Sequence, residues 1–113
     1  MNVQIFGTKK SFDSKKAERY FKERGIKYQF VDMKEKGLSK GEFNSVCQAV
    51  GGYEKLIDPK CKDKNLLALV QYLSEEDKKE KILGNQKIIR TPIVRNGKQA
   101  TVGYEPDVWK DWK

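Results

Sequence analysis

The sequence contains no histidine among its 113 residues. A Ser-His-Asp or Cys-His catalytic arrangement is therefore excluded, and so is any metal site built on imidazole. Cysteine is scarce as well, because the chain has two cysteines, Cys47 and Cys61, and they do not form a C-x-x-C pair. This spacing argues against a disulfide framework and against a structural zinc site, so we expect no bound metal.

Long apolar runs are also missing. No stretch approaches the ~20 apolar residues that a membrane-spanning helix requires, and 35% of the residues are charged. Met1 leads directly into a short strand pattern without the apolar core of a signal peptide. A chain of this length buries about two-thirds of its unfolded surface around one core. We therefore expect one domain over residues 1–113, monomeric and cytoplasmic, with no membrane contact.

The N-terminal residues form a strand, loop and helix pattern. The apolar run over residues 3–6 suits a buried strand, Gly7 ends it, and three residues that favour helix N-caps follow: Ser11, Asp13 and Ser14. The helix should begin between residues 11 and 14 and continue to Arg24. Free backbone N–H groups and the positive end of the helix dipole meet at such a junction, where an anion or a thiolate is stabilised. No thiol is present there.

The middle of the chain reads as one strand followed by helices. The strand is expected over residues 27–32, with Tyr28, Phe30 and Met33 facing inward. A capping box at Ser39 and Glu42 starts the next helix, which Gly51-Gly52 should end. A short turn over residues 53–57, an apolar helix over residues 65–73 and an acidic-to-basic helix over residues 74–84 complete this region.

The two cysteines differ in their predicted surroundings. Cys47 lies on the apolar stripe of its helix, which favours a small core residue. Cys61 lies in a loop with Lys60, Lys62 and Lys64, which predicts an exposed thiol that positive charge makes reactive. It is either an idle surface cysteine or a resolving cysteine.

The C-terminal third reads as a hairpin and a terminal helix. Asn96-Gly97 between two β-prone runs is a strong hairpin signal. Pro106 suits the first turn of a last helix, and its tryptophans, Trp109 and Trp112, are expected in the core. The predicted architecture is α/β, with a βαβ unit, a helical insertion, a ββ hairpin and a terminal helix around a mixed sheet of about four strands.

Three segments resemble the ArsC/Spx-like arsenate reductase family, a branch of the thioredoxin-like fold. Residues 5–17 resemble its active-site segment, so that Ser11 falls on the catalytic cysteine and Ser14 on the second member of a C-x-x-C pair. Arg90-Thr91-Pro92 resembles the segment whose cis-proline faces that cysteine. The stretch from Gly103 to Trp112 is similar to the tails of ArsC-like proteins associated with nitrogenase clusters and of clostridial relatives. The resemblance implies the same thioredoxin-like fold that the element order predicts.

The net charge of +8 leaves several uses open. The lysines are scattered, and no RRM, helix-turn-helix or zinc-finger pattern is present, so direct nucleic-acid binding is not expected. In a thioredoxin-like arrangement a set of cations should converge at the site: Lys9, Lys10, Lys15, Lys16, Arg90 and Arg95. They would bind a small thiol or an oxyanion, or dock an acidic protein partner, as the Spx branch docks on RNA polymerase. Excess lysine for solubility is the third interpretation.

Two functions therefore stay open. The first is a thiol- or selenol-dependent oxidoreductase related to arsenate reductase and glutaredoxin, with no bound cofactor and with glutathione, thioredoxin or glutaredoxin as reductant. Ser11 would make this form inactive, because serine is a poor nucleophile and forms no disulfide. The second is a non-catalytic regulatory or protein-binding module of the Spx type. Clostridial relatives that this chain resembles carry selenocysteine at this position, so a UGA codon for residue 11 would favour the enzyme.

Overall fold

The computed structural model describes residues 1–112 and contains a four-stranded sheet with helices on both faces. The elements in chain order are β1 (Val3–Gly7), α1 (Phe12–Glu23), β2 (Tyr28–Asp32), α2 (Lys40–Val50), α3 (Lys64–Tyr72), α4 (Glu75–Gly84), β3 (Ile93–Asn96), β4 (Gln99–Val102) and α5 (Pro106–Trp109). The strand order in space is β2-β1-β3-β4. This architecture confirms the predicted thioredoxin-like fold.

The sheet is mixed. Strands β1 and β2 are parallel, with Val3 opposite Tyr28, and parallel neighbours need a crossover, which α1 supplies. Strand β3 runs antiparallel to β1, and β4 runs antiparallel to β3. The carboxyl end of β1 and the start of β3 therefore meet at one edge of the sheet, beside the N-terminus of α1.

Two apolar clusters lie on opposite faces of the sheet. Because successive strand residues point to opposite faces, Val3 and Ile5 face one cluster and Phe6 faces the other. The first cluster contains the buried side of α1 and the two C-terminal tryptophans, as predicted. The second contains residues of α2, α3 and α4, with Val31 of β2. Tyr28 and Phe30 pack against the first cluster and Met33 against the second, all three half-buried.

Local signals set most of the helix ends. Ser39 and Glu42 form both hydrogen bonds of the predicted capping box, and Gly51 ends α2 with a φ of 90°, a conformation that favours glycine. Helix α3 begins one residue earlier than predicted because the Asp63 side chain caps it by accepting from the N–H of Leu66. Helix α1 begins at Phe12, inside the predicted window.

The hairpin differs from its prediction by one residue. Asn96 belongs to β3 and pairs with Gln99, so the turn residues are Gly97 and Lys98 rather than Asn96 and Gly97. Gly97 has a φ of 60°. The Asn96 side chain accepts from the N–H of Asn2 at 3.0 Å, which holds Asn96 in the strand. Within residues 1–112, no helix has the length and apolarity needed to cross a bilayer.

Candidate functional site

Ser11 lies at the N-terminus of α1. Its backbone is extended, with φ −78° and ψ 123°, and its Oγ accepts a hydrogen bond from the N–H of Ser14 at 3.2 Å. Its own N–H donates to the carbonyl of Thr8 at 3.3 Å, which closes the loop after β1. The side-chain oxygen of residue 11 therefore lies where the N–H groups and dipole of α1 favour negative charge.

Ser14 has a structural position beneath this loop. It is fully buried and lies inside α1 rather than at its cap. Its Oγ accepts from the N–H of Thr8 at 3.3 Å, and a Cβ added to Gly7 would lie 2.9 Å from Cβ of Ser14. The side chain at position 14 therefore holds the loop against β1.

The segment Arg90-Thr91-Pro92 reaches the same edge of the sheet. The Thr91-Pro92 peptide bond is cis, as the resemblance implied. Ile93 pairs with Phe6 in the antiparallel ladder. Pro92, the residue before Ile93, therefore lies level with Gly7 at the end of β1. The backbone at Arg90 is fixed because its N–H donates to the carbonyl of Leu56 at 2.7 Å.

A cleft of about 530 Å³ joins these two segments. Thr8, from the loop before Ser11, and Thr91, before the cis proline, line one cleft with side chains from three other parts of the chain. Those further lining residues include Met33, Lys34, Asp58, Asn85, Gln86, Lys87 and Ile89. The sequence analysis missed Lys34 and Asn85 because no local motif contains them; the tertiary fold alone brings them to this edge.

The predicted cations do not meet at one point, because Lys9, Lys15 and Arg90 border three different depressions of the surface. Lys10 and Lys15 are exposed. Lys9 lines a separate depression beside Asp32 and Glu35. The exposed Arg90 lies over Gly103, where an added Cβ would be 3.2 Å from its Nη2. We call Lys9, Lys10, Lys15 and Arg90 the basic rim. The three lysines lie within four residues of Ser11 in the chain, and Arg90 lies two residues before Pro92.

Arg95 does not join this rim, contrary to the expected convergence. In the antiparallel pairing it lies opposite Gln4, and its Nη1 donates to Oε1 of Gln4 at 2.9 Å. Gln4 is three residues before Gly7, which corresponds to about 10 Å of strand. Strand β3 runs away from the site. Arg95, three residues after Pro92, therefore lies toward the opposite end of the strands.

Cys61 is buried, so the prediction of an exposed, reactive thiol is wrong. The side chain is 8% exposed, and Sγ donates to the carbonyl of Lys87 at 3.7 Å. Asp63 and Lys87 form an ion pair at 2.9 Å beside it, and Asp63 also caps α3. The lysines of this loop point outward while Cys61 packs inward. A resolving role would require this loop to open.

Cys47 is buried, as predicted. Burial raises the pKa of its thiol above the ordinary value, and the nearby Lys79 charge opposes this shift without cancelling it. No group of three or more Cys, Asp or Glu side chains able to hold a metal ion comes together within residues 1–112.

Two exposed aromatic side chains in contact with lysines of α1 were not identified as site residues from the sequence. Phe12, the first residue of α1, is 80% exposed, and Nζ of Lys15 lies 6.0 Å from its ring centroid. Tyr104 is partly exposed, and Nζ of Lys16 lies 5.7 Å from its ring centroid. The sequence did contain a signal for an aromatic–lysine contact. Phe12 is followed three and four positions later on the helix by Lys15 and Lys16.

Comparison with known proteins finds a matching family model and solved structures of the same fold. A model of the ArsC family matches residues 6–112. The uncharacterised protein YusI of Bacillus subtilis (strain 168) is 22% identical over 115 residues, which cover 98% of both chains. An arsenate reductase from Vibrio cholerae superposes with a TM-score of 0.82 at 24% identity, covering 96% of this chain and 94% of that one.

A second solved structure extends the likeness to the whole chain. An ArsC family related protein from Bacteroides fragilis superposes with a TM-score of 0.86 at 19% identity, covering 100% of this chain and 98% of that one. At these identities the two structures establish the shared fold.

Proposed function

Because this chain belongs to the ArsC family, we propose that it is a thiol- or selenol-dependent oxidoreductase related to arsenate reductase and glutaredoxin. Its reacting atom belongs at position 11. Ser11 makes the present form inactive, and the active form carries cysteine or selenocysteine there. The protein acts as a cytoplasmic monomer without a bound cofactor, and glutathione or a thioredoxin or glutaredoxin serves as reductant.

The hydrogen bond from the N–H of Ser14 to Oγ of Ser11 is the observation that carries this proposal. A thiolate or selenolate at position 11 would accept the same N–H at the positive end of α1. This interaction favours the anion over the protonated form and so lowers the pKa of the nucleophile. The serine hydroxyl has no histidine in the chain to act as its base.

The reaction follows from that nucleophile. The chalcogen anion at position 11 attacks one sulfur of a disulfide, forms a mixed disulfide with it and releases the other sulfur as a thiolate. A reductant thiolate then attacks the substrate sulfur of the mixed disulfide, which regenerates the anion at position 11. That attack joins the reductant sulfur to the substrate sulfur. A second reductant thiolate then attacks the reductant sulfur of this disulfide, which releases the substrate as a thiolate and leaves the two reductant molecules joined as a disulfide.

The basic rim suits an anionic substrate. Lys9, Lys10 and Lys15 are exposed and lie within four residues of position 11 in the chain. Arg90 is exposed two residues before the cis Pro92, and Thr91 lines the adjoining cleft. An oxyanion such as arsenate, the substrate that the name of the Vibrio cholerae relative indicates, is one candidate. A small thiol that carries carboxylates is the other.

The alternative is a regulatory or protein-binding module of the Spx type. Two observations favour it: residue 11 is a serine, and the neighbouring Phe12 is 80% exposed. Phenylalanine is among the side chains that are enriched in protein contact surfaces.

The test compares Ser11→Cys with the Ser11 protein and with Ser11→Ala. Turnover is followed as NADPH consumption with glutathione and glutathione reductase, using arsenate or a small disulfide as substrate. We expect turnover for Ser11→Cys and none for the other two. Ser74→Cys is the matched control, because Ser74 also caps a helix through its side chain but lies at the start of α4.

Two outcomes would contradict this proposal, one for the inactive form and one for the enzyme. Turnover by the Ser11 protein that Ser11→Ala abolishes would overturn the assignment of an inactive form. An inert Ser11→Cys variant together with a plain serine codon for residue 11 would favour the module.

A further inference from the structure

The cleft of about 530 Å³ borders both segments of the proposed site. Thr8 lines it, and the carbonyl of Thr8 accepts the N–H of Ser11 at 3.3 Å. Thr91, the residue before Pro92, lines it as well. A volume of this size is typical of pockets that hold a small molecule. A substrate that reacts at position 11 can therefore extend into this cleft, where the lining side chains contact it.

The cleft has no arginine. The chain contains four arginines, all within the described residues 1–112, and none of them lines the cleft. Arginine is the side chain best suited to a tetrahedral oxyanion, because its guanidinium donates two parallel hydrogen bonds. The four arginines lie elsewhere: Arg19 borders a depression along α1, Arg24 lies 3.7 Å from the ring centroid of Tyr20, Arg90 lies over Gly103, and Arg95 donates to Gln4.

The lysines that follow Thr8 do not line the cleft either. Lys10 is exposed, and Lys9 and Lys15 border other depressions, each of which also contains two carboxylates: Asp32 and Glu35 beside Lys9, and Glu18 and Glu23 beside Lys15. The N–H groups at the start of α1 do not replace them in the active form. A thiolate or selenolate at position 11 would accept the N–H of Ser14 itself and would repel a second anion beside it.

The charged side chains that line the cleft are Lys34, Asp58 and Lys87. Lys87 already forms an ion pair with Asp63 at 2.9 Å. Lys34 and Asp58 form no ion pair with any residue from 1 to 112. The cleft therefore offers one ammonium group and one carboxylate to a ligand, which favours a ligand that carries one charge of each sign over an oxyanion.

The negative side of the cleft consists of Asp58 and the end of α4. The backbone N–H of Asp58 donates to the carbonyl of Ile88 at 2.8 Å, and its Oδ1 accepts the N–H of Lys60 at 2.9 Å. These bonds orient the carboxylate and leave Oδ2 for a ligand. Gly84 and Asn85 bring the C-terminus of α4, the negative end of its dipole, to the same cleft. A positive group of the ligand is therefore favoured on this side.

We propose that this cleft binds the amino-acid end of a small disulfide. The ammonium group of the ligand lies at Asp58 and the end of α4, its carboxylate lies at Lys34, and its sulfur points toward position 11. The inference rests on the proposed function in the direction of the sulfur, and it selects the small thiol rather than arsenate as the substrate class. Cystine and the γ-glutamyl end of glutathione disulfide both carry this group.

The first test is binding of unreactive ligands to the Ser11 protein at pH 7, followed by the chemical shifts of the backbone amides that line the cleft. S-Methylcysteine carries both charges, (methylthio)acetate carries the carboxylate alone, and 2-(methylthio)ethylamine carries the ammonium group alone. We expect each single-charge ligand to bind about fivefold more weakly than S-methylcysteine, the loss of one partly exposed ion pair. S-Methylglutathione identifies the source of the ligand by whether it binds more or less tightly than S-methylcysteine.

Protein variants assign the two charges. Asp58→Asn should weaken S-methylcysteine and 2-(methylthio)ethylamine about fivefold and leave (methylthio)acetate unchanged. Lys34→Gln should weaken S-methylcysteine and (methylthio)acetate by the same factor and leave the amine unchanged. Asp107→Asn and Lys98→Gln are the matched controls, because both residues are exposed and neither lines the cleft. Both controls should bind as the parent chain does, and circular dichroism checks that each variant is folded.

The second test is the rate at which Ser11→Cys forms a mixed disulfide, measured by mass spectrometry. The substrates are cystine, cystamine, which carries two ammonium groups, and dithiodiglycolate, which carries two carboxylates. Each rate is divided by that of Ser74→Cys, which removes the intrinsic reactivity of the disulfide. We expect the ratio for cystine to exceed the other two about fivefold.

Equal binding of S-methylcysteine and its single-charge analogues would overturn the proposal. So would the absence of the crossed pattern in the two variants, or tighter binding of arsenate than of S-methylcysteine to the same amides. The binding test involves no chemistry at residue 11. Selective binding with an inert Ser11→Cys variant would therefore reject the enzyme and retain the amino-acid site, and an active Ser11→Cys variant without selective binding would reject the amino-acid site alone.

Discussion

Ser14 fills the space that the absent side chain of Gly7 leaves at the end of β1. A Cβ on Gly7 would lie 2.9 Å from Cβ of Ser14, closer than such atoms approach in proteins. The same serine accepts the N–H of Thr8. This pair therefore fixes how closely α1 approaches the strand, and with it the position of Ser11.

Gly7→Ala should destabilise the protein because the added methyl group meets a buried helix residue that cannot move freely. We expect a loss of about 1–3 kcal/mol in the free energy of unfolding, as for other overpacked cores. Gly41→Ala is the control: it lies in α2 with no atom within 4 Å of the new Cβ. That change should stabilise by about 0.4–1 kcal/mol. Urea unfolding measures both, and equal effects would exclude the steric explanation.

Ser11→Cys should carry a thiol with a lowered pKa. Its environment combines the N–H of Ser14 with the nearby Lys15 and Lys16. A free cysteine titrates near ~8.5, and helix N-termini with positive neighbours bring it to roughly 3.5–7.5. Ser74→Cys occupies a similar cap, but three carboxylates follow it in the first turn of α4, so its thiol should titrate higher.

Thiolate absorbance at 240 nm against pH distinguishes these two variants. Coinciding titrations would mean that position 11 is simply a helix cap, and the binding module would then become the better explanation.

Both native cysteines should react slowly with a thiol reagent in the folded protein. Burial restricts access to both, and it also raises the pKa of Cys47. Asp63→Asn should speed the labelling of Cys61 and leave Cys47 unchanged, because it removes the ion pair with Lys87 that lies beside the Cys61 loop. Glu76→Gln, on the exposed start of α4, is the control. Mass spectrometry after timed labelling reports each site, and rapid labelling of Cys61 in the parent chain would contradict its burial.

The same Asp63→Asn variant should change how the free energy of unfolding depends on pH in the acid range. The hydrogen bond from Lys87, with that from the N–H of Leu66, lowers the pKa of Asp63 below its ordinary value. A carboxyl with a lowered folded pKa stabilises the protein above the unfolded value of about 3.9, and this stabilisation is lost as the pH falls through the folded pKa. The parent and variant should therefore differ at neutral pH and converge in acid. A difference that persists in acid would point to another cause.

Thr101→Val should destabilise the C-terminal core. Nε1 of Trp109 donates to Oγ1 of Thr101 at 2.7 Å, and both side chains are buried. Valine preserves the shape but leaves the indole N–H unpaired, which costs about 1–3 kcal/mol. Val108→Thr, a change of the same size at an exposed position of α5, should stay within about 0.5 kcal/mol. Thermal unfolding followed by tryptophan fluorescence compares the two variants. Equal melting temperatures would show that the buried hydrogen bond does not stabilise the protein.

The sequence alone determined the features that depend on neighbours in the chain. These local features are the strand pattern that ends at Gly7, the capping box at Ser39 and the glycine end of α2. The sequence also limited the cap of α1 to three candidates, of which the structure selects Ser11. Backbone N–H groups at a helix start are satisfied within three residues, so the residues that satisfy them can be identified from the sequence. The order of these elements was sufficient to predict the thioredoxin-like fold.

Tertiary structure decided what depends on the direction and pairing of distant segments. Arg95 and Arg90 are both near Pro92 in sequence, yet the antiparallel register carries Arg95 toward Gln4 and leaves Arg90 at the rim. Cys61 lies among lysines, but its thiol turns inward to the carbonyl of Lys87, and the charge of the loop gave no indication of this. The cleft beside Thr8 exists because separate elements meet there. Burial and cavities are properties of packing between segments, and a chain's local pattern does not specify them.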